Sequence, residues 1–417
     1  MPDFLPFRAN MKVAYTFNKD VGNYHYGKHH PMKPHRSAIV NNLIHLYRLN
    51  NHMDVLAPTE RDASGYHPDG YPFDDMKTTD DCPLFYGRKA FCAEYTSNSM
   101  CAANALLTYD VAINWAGGMH HARKNSPSGF CYMNDIVMAI QRLLNSFERV
   151  MYIDIDIHHG DGVEEAFGLN ERVLTCSFHK YGDGYFPGTG NLLSNHFLRE
   201  KATPSHTQCR TSAGLAKNVW SKNAPGSRIV DDAHVFDSGA NLNDSSPDRG
   251  LTMYKPFQKE KKIKNVINVP LRTGIDDWSY KYVFEPVTSS IIRKFDPSVI
   301  VVQCGADSLG EDRLGCFNLS VQGHGACVEY LKSFNKKMLV VGGGGYTLNN
   351  VVRAWTYETS VLAGVEIAGD IPEGPYTEYF QPSNSLFPDF KRKYENENTK
   401  SYLDSIAGYI QNVVDKG

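Results

Sequence analysis

The sequence predicts an α/β protein built on a mostly parallel β-sheet with helices on both faces. Three observations carry this. Short, unbroken apolar runs recur, among them Val150 to Ile153 and the stretch Ser298 to Ala306. Segments with helical spacing of apolar residues alternate with them. The glycine-rich, polar residues suited to chemistry follow directly after the apolar runs. Strands buried on both faces read as continuous apolar stretches, and in such sheets ligands gather beyond the carboxyl ends of the strands.

Met11 to Phe17 reads as the first strand. Asp20 to Arg36 is a polar loop whose histidines (His25, His29, His30, His35) read as surface residues. His35 to Leu49 is an amphipathic helix with Ile39, Leu43, Leu46 and Leu49 on one stripe. Ala57 to Gly87 is rich in turn residues, Phe91 to Tyr109 is helical, and Val111 to Trp115 is a short strand. A helix opens at Gly129 and runs to about Leu144, then come strands from Val150 and over Arg172 to His179. Tyr185 and Phe186 sit in the glycine-rich loop Tyr181 to Asn191, where the sequence leaves open core plugs or pocket walls.

Residues 192–264 change character: Ser, Asn, Lys and Asp dominate and periodicity disappears, which reads as a polar insertion. Regular texture resumes with strands Asn265 to Val269, Ser298 to Ala306 and Lys337 to Val341, and with helices Tyr280 to Phe295, Gly323 to Phe334 and Asn350 to Gly364. The polar end of the chain closes with a helix-like piece, Lys400 to Val414. The expected organisation is one catalytic domain, 11–380, interrupted by 192–264 and followed by a tail, 381–417.

At 417 residues the chain can bury a large core. Its net charge of -3 gives no global positive field, so direct DNA binding is not expected. The nine cysteines form no CxxC pair, which suits a reducing compartment. The first residues, Met1-Pro-Asp-Phe-Leu-Pro-Phe-Arg, are too short and polar for a signal peptide, and no apolar run approaches the ~20 residues of a membrane span. A soluble, intracellular protein without membrane attachment is the expectation.

The chemistry centres on Asp154, Asp156 and His158, spaced by two with isoleucines between them. In an extended backbone such residues point to one side. Charges at the end of a buried strand need compensation. A metal-free ion network is one reading; a cation held by oxygen and nitrogen ligands accounts better for three converging polar groups. Asp156, His158 and Asp307 form the natural trio for zinc, leaving positions for water and substrate. Zinc there would lower the pKa of bound water to about 7 and polarise a carbonyl. The pair His120-His121, after Gly117-Gly118, could move protons, with Asp154 and Asp161 at hand to orient the rings. Tyr346 follows four glycines and could donate to an oxyanion. The glycine run lacks the Lys-Ser/Thr of a phosphate loop.

Trp115-Ala-Gly-Gly-Met-His-His, Gly129-Phe-Cys-Tyr, Asp154-Ile-Asp-Ile-His-His-Gly-Asp-Gly, Phe186-Pro-Gly-Thr-Gly, Gln303-Cys-Gly-Ala-Asp-Ser and Gly342-Gly-Gly-Gly-Tyr-Thr together resemble the zinc-dependent histone deacetylases, and Asp20-Val-Gly-Asn and His30-Pro-Met-Lys-Pro-His-Arg36 look most like class I. The resemblance runs from about Lys12 to Val365, apart from the insertion. It implies an arginase/deacetylase fold with an eight-stranded parallel sheet, and hydrolysis of N6-acetyl-lysine in histone tails or other acetylated proteins to lysine and acetate. It further implies chromatin and transcription regulation, corepressor-type partners, and a nuclear location with the cytoplasm as a second. Acetylpolyamine and arginase-like hydrolysis, or a scaffold with little turnover, are the competing readings.

By the same resemblance, Asp156, His158 and Asp307 match the zinc ligands. His121 matches the general base and acid, His120 its electrostatic partner, Asp154 and Asp161 the carboxylates that pair with them, and Tyr346 the oxyanion donor. Gly129, Phe130 and Phe186 match walls of an acyl-lysine tunnel, Leu314 a residue near its mouth, Asp81 the rim carboxylate, and Arg36 an arginine beside an inner cavity where acetate leaves. Potassium is implied near the zinc, at Asp154, Asp156, His158, Ser177 and Phe178. The departures are Ser97-Asn98 for a Gly pair and, around the family's inositol phosphate site, Asn349 for Arg and His29 for Gly, with Lys33 and Arg313 matching.

Overall fold

The computed structural model of the chain describes residues 11–59, 62, 78–197 and 265–417. Its centre is an eight-stranded sheet: β1 (Val13–Thr16), β2 (Asp54–Leu56), β3 (Val111–Asn114), β4 (Val150–Asp154), β5 (Val173–Lys180), β6 (Val266–Leu271), β7 (Val299–Gln303) and β8 (Lys337–Val341). The spatial order is β2-β1-β3-β8-β7-β4-β5-β6, and every neighbouring pair runs parallel. The expected parallel sheet is therefore present with eight strands. β2 was not foreseen: its three residues are largely exposed and it lies at the sheet edge, so it lacks the apolar run that marks the others.

The helices are α1 (Arg36–Leu46), α2 (Arg88–Ala105), α3 (Asp135–Leu143), α4 (Asp161–Phe167), α5 (Asp277–Phe295), α6 (Val321–Lys332), α7 (Leu348–Ala363) and α8 (Lys400–Lys416). They cover both faces of the sheet. Alternation along one strand explains how: β4 sends Met151 and Ile153 into one core, shared with α1, α5, α6, α7 and α8. It sends Val150 and Tyr152 into the other, shared with α2, α3 and α4. A strand that feeds two cores has no face left for polar side chains, hence its unbroken apolar sequence.

Three boundaries differ from expectation. The helix expected from Gly129 begins at Asp135, where the Asn134 side chain accepts from Val137 N (3.1 Å) and caps it. Residues 192–197 belong to the folded body: His196 and Val266 exchange two backbone hydrogen bonds of 2.8 Å, and Phe197 is buried. The rest of the expected 192–264 insertion lies outside the described residues. In the segment 381–417, read as a tail, α8 buries Leu403, Ile406, Ile410 and Val414 in the same core as the sheet.

The sheet order places the chemistry. β3, β8, β7 and β4 are consecutive neighbours at its middle. His120 and His121 follow β3, Tyr346 follows β8, Asp307 follows β7, and Asp156 and His158 follow β4. Parallel strands bring all these segments to one edge.

Candidate active site

β4 ends at Asp154, so Asp156 and His158 are not delivered by an extended strand as the spacing suggested. Each aspartate instead bends the chain after it. Asp154 Oδ1 accepts from Asp156 N (3.0 Å), and Asp156 Oδ1 accepts from His158 N (2.9 Å). Side-chain acceptors of this kind compete with the strand ladder. From the turn after β7, which pairs with β4, comes Asp307, whose Oδ1 accepts from Ile157 N (3.0 Å). The ligand-type atoms of Asp156, His158 and Asp307 lie within 4.8 Å of one another, and all three residues are buried. His158 Nδ1 is 3.1 Å from Asp156 Oδ1 and 3.0 Å from Asp307 Oδ2.

The donor set suits a cation. Burial works against a charged His158, but Asp307 and Asp156 outweigh it and raise it to about 10. Burial and the Asp156 charge push Asp307 up. Two buried carboxylates that repel each other and draw positive charge to the point between them are what a divalent ion with oxygen and nitrogen ligands requires. The rest of Asp156 is fixed: its Oδ2 accepts from Gln303 Nε2 (2.9 Å) and Gly344 N (2.8 Å). Gly344 must be glycine, because a Cβ there would overlap the Asp307 carboxylate.

Beside the trio stand two oriented histidines. His120 Nδ1 lies 2.8 Å from Asp154 Oδ2, which also accepts from the Tyr152 hydroxyl (2.6 Å). His121 Nδ1 lies 2.8 Å from Asp161 Oδ1, and Arg123 donates to Asp161 Oδ2 (2.8 Å). Tyr346 lines the same cavity as His121, with Phe130 against it edge-on at 5.5 Å. Burial, then the charges of Asp307 and Asp156, push the phenol far up, so it stays protonated and able to donate.

These groups open to solvent through a cavity of about 280 Å³ lined by Phe130, His158, Tyr185, Phe186, Leu314 and Tyr346, with Asp81, His121 and Gly129 completing the wall. A larger cleft of about 640 Å³ beside Trp278 and Phe390 contains no histidine. The family model described as "Histone deacetylase domain" matches residues 21–362. The chain belongs to the histone deacetylase family.

Relatives agree over nearly the whole length. The chain is 42% identical to "Histone deacetylase clr6" of Schizosaccharomyces pombe, over 96% of this chain and 88% of that protein. It is also 42% identical to "Histone deacetylase B" of Dictyostelium discoideum, over 95% of this chain and 85% of that protein. "Histone deacetylase 1" of Homo sapiens gives 42% again, over 95% of this chain and 73% of that protein. The family is zinc-dependent, and Asp156, His158 and Asp307 are the candidate metal site of this histone deacetylase domain.

Of the remaining expected residues, Asp81, Gly129, Phe130, Phe186 and Leu314 line the same cavity, whereas Arg36, Ser177 and Lys33 do not. Phe186 and Leu314, each 41% exposed, stand at its mouth. Asp81 accepts from Gly129 N through Oδ2 (2.8 Å). Gly129 adopts φ +53°, and a Cβ on it would overlap the His121 ring. Arg36 is buried, stacks on Trp355 at 4.8 Å, and donates to the carbonyls of Gly343 and Gly345, so it braces the glycine loop before Tyr346. Ser177 lies opposite Asp154 in the β4–β5 register. Lys33 donates to the carbonyls of Gly27 and Lys28, 3.1 Å each.

Among the contributors that sequence reasoning left unassigned are Tyr185 and Asp312. Tyr185 is a pocket wall: its ring stacks on His158 (5.3 Å between centroids, 14°) and its hydroxyl donates to Leu314 O (3.1 Å). Its place in the loop next to Phe186 was the available signal. Asp312 carried none, since the partners that tie it to the site, the N–H groups of Tyr346 and Thr347, are distant in the chain.

Proposed function

We propose that this histone deacetylase hydrolyses N6-acetyl-lysine in histone tails and other acetylated proteins, in the service of chromatin and transcription regulation. The observation that carries this is the buried Asp156–His158–Asp307 trio, whose His158 lines an aromatic-walled cavity together with His121 and Tyr346. Zinc held by the trio would supply a Lewis acid for the amide carbonyl and an acidified water.

The chain's own residues account for the rest. Phe130 and Phe186 flank the tunnel, a path that suits the apolar stem and neutral acetamide of acetyl-lysine. A charged lysine would lose its hydration there without compensation. At the rim, the Asp81 carboxylate would accept a backbone N–H of the threaded peptide in addition to its bond from Gly129 N. With Nδ1–H donated to Asp161, neutral His121 keeps a free Nε2 lone pair to take the proton of the attacking water. As the carbonyl carbon becomes tetrahedral, the Tyr346 hydroxyl donates to the developing oxyanion. The C–N bond then breaks, and His121 passes its proton to the departing lysine amine.

A structural potassium ion at Asp154 and Ser177 is part of the same reading, supported by a fully buried Asp154 whose register partner on the neighbouring strand is the buried Ser177. Corepressor-type partners and a nuclear location, with the cytoplasm as a second, extend it by analogy with the class I relatives. The test is a side-by-side assay of the zinc-loaded protein on an acetylated histone peptide and an acetylated polyamine. Peptide deacetylation that disappears in His121→Ala is expected. Zinc-loaded protein that leaves the peptide intact would overturn the reading.

A further inference from the structure

Asp312 lies in the segment between β7 and α6 and is 3% exposed. Its carboxylate bridges two pieces of chain. Oδ1 accepts from Leu314 N (2.8 Å) and Gly315 N (3.0 Å). Oδ2 accepts from Tyr346 N (2.7 Å) and Thr347 N (3.1 Å). A buried carboxylate is costly, and several N–H dipoles on it are what makes it tolerable. Thr347 caps α7, so part of the arrangement is a negative charge at a helix N-terminus. That accounts for the Thr347 bond. It does not account for the bonds to Tyr346, Leu314 and Gly315.

The bonds form a clamp. Arg36 grips the carbonyls of Gly343 and Gly345 on one side of Tyr346, and Asp312 grips the N–H groups of Tyr346 and Thr347 on the other. The same carboxylate holds Leu314 at the tunnel mouth, whose carbonyl is held in turn by the Tyr185 hydroxyl. Four glycines before Tyr346 leave its backbone few steric constraints of its own. A displacement of about 1 Å in a reacting group can cost about 10²-fold in rate, so a loop this permissive needs an external anchor.

We propose that Asp312 is a positioning residue for the Tyr346 hydroxyl, locking the oxyanion donor in register with the tunnel mouth. The proposal rests on the assignment of Tyr346 as that donor. It predicts a loss felt in turnover and conveyed through Tyr346, which a merely structural role would not show.

The test is a double-mutant cycle on the zinc-loaded protein with an acetyl-lysine peptide, using Asp312→Asn, Tyr346→Phe and the two together. Asp312→Asn alone should lower kcat on the order of 10²-fold with KM nearly unchanged. In the Tyr346→Phe background it should cost about threefold or less, because the group it positions is already gone. Asp312→Ser, which leaves space for a water, is the second arm and is judged in the same way. Binding of a peptide trifluoromethyl ketone, whose hydrate mimics the tetrahedral centre, should weaken in both variants while binding of the acetyl-lysine peptide does not. A full additive cost in the Tyr346→Phe background, or an unchanged kcat in Asp312→Asn, would overturn the proposal. So would failure of both variants to fold, since Asp312 would then serve stability. A fully active Tyr346→Phe would instead remove the assignment of Tyr346, a separate result.

Discussion

His120 and His121 are chain neighbours with rings 3.9 Å apart, and their surroundings drive them to opposite protonation states. Burial opposes a charge on His120, but Asp154 and Asp156 outweigh it and raise it to about 9. Burial, then the adjacent charge of His120, lowers His121 to about 3. Without a metal, these surroundings favour the charged form of His120 and the neutral form of His121. Two like groups split by environment are how a site obtains separate electrostatic and proton-transfer roles.

The carboxylate that orients His121 gives a pH dependence of stability. Burial alone would raise Asp161, but the His121 N–H and the Arg123 guanidinium outweigh it and hold Asp161 far below the usual carboxylate range. The unfolded chain, with an ordinary value of about 3.9, takes up this proton first as pH falls. The contribution is thus complete above about pH 5 and is lost progressively as pH drops below about 4. Urea unfolding should find the wild type more stable than Asp161→Asn by on the order of 2 kcal/mol at neutral pH. The gap should narrow steadily in acid; a gap that stays constant down to about pH 3 would contradict the assignment.

Metal removal separates the roles of the trio. Chelation should abolish hydrolysis, and added zinc should restore it. Zinc at 100 times its Kd should also stabilise the wild type by about 2.7 kcal/mol, read as a rise in Tm. Asp307→Asn should lose both effects. Its metal-free form should nevertheless melt at or above the metal-free wild type, because one of two repelling buried carboxylates is gone. A metal-free Asp307→Asn that melts well below the wild type would mean that Asp307 is held for stability.

Much of this was legible in the sequence because the central strands are buried on both faces, and unbroken runs such as Val299–Gln303 mark them plainly. β2 escaped because an exposed edge strand needs no such run. The Asp156–His158 pairing was read from the right residues by the wrong geometry. Period-two spacing suggested a strand, whereas side-chain to backbone bonds turn the chain at Asp154 and again at Asp156. The helix expected at Gly129 failed for a related reason. Gly129 and Phe130 both take positive φ to form the tunnel wall, and capping by Asn134 postpones the helix. Asp312 was invisible because nothing in its local sequence announces backbone partners at Tyr346 and Thr347.

The described residues that flank the segment read as a polar insertion lie side by side. His196 and Val266 exchange reciprocal hydrogen bonds, and Asn195 Nδ2 donates to Asn268 O (3.0 Å). A short loop can therefore close the gap, at a loop-closure cost that changes only slowly with length. Replacing residues 199–263 by a short Gly/Ser linker should leave Tm within a few degrees of the wild type and keep hydrolysis of a short acetyl-lysine peptide. Loss of peptide hydrolysis in a variant that melts normally would show that the insertion contributes to the site.

Gly129 tests the tunnel independently of the metal. Its φ of +53° is one that L side chains rarely adopt, and the Cβ of an alanine would run into the His121 ring and touch Phe186. Gly129→Ala must therefore move either the base or the wall. The left-handed backbone adds a cost of about 1–2 kcal/mol. The atoms nearest the new Cβ belong to His121 and Phe186 rather than to the metal ligands. Zinc affinity should stay near the wild-type value while kcat/KM for the acetylated peptide falls on the order of 10²-fold. Calorimetric zinc titration beside steady-state kinetics checks both halves. Parallel loss of zinc and activity would place the damage at the trio and contradict a tunnel wall at Gly129.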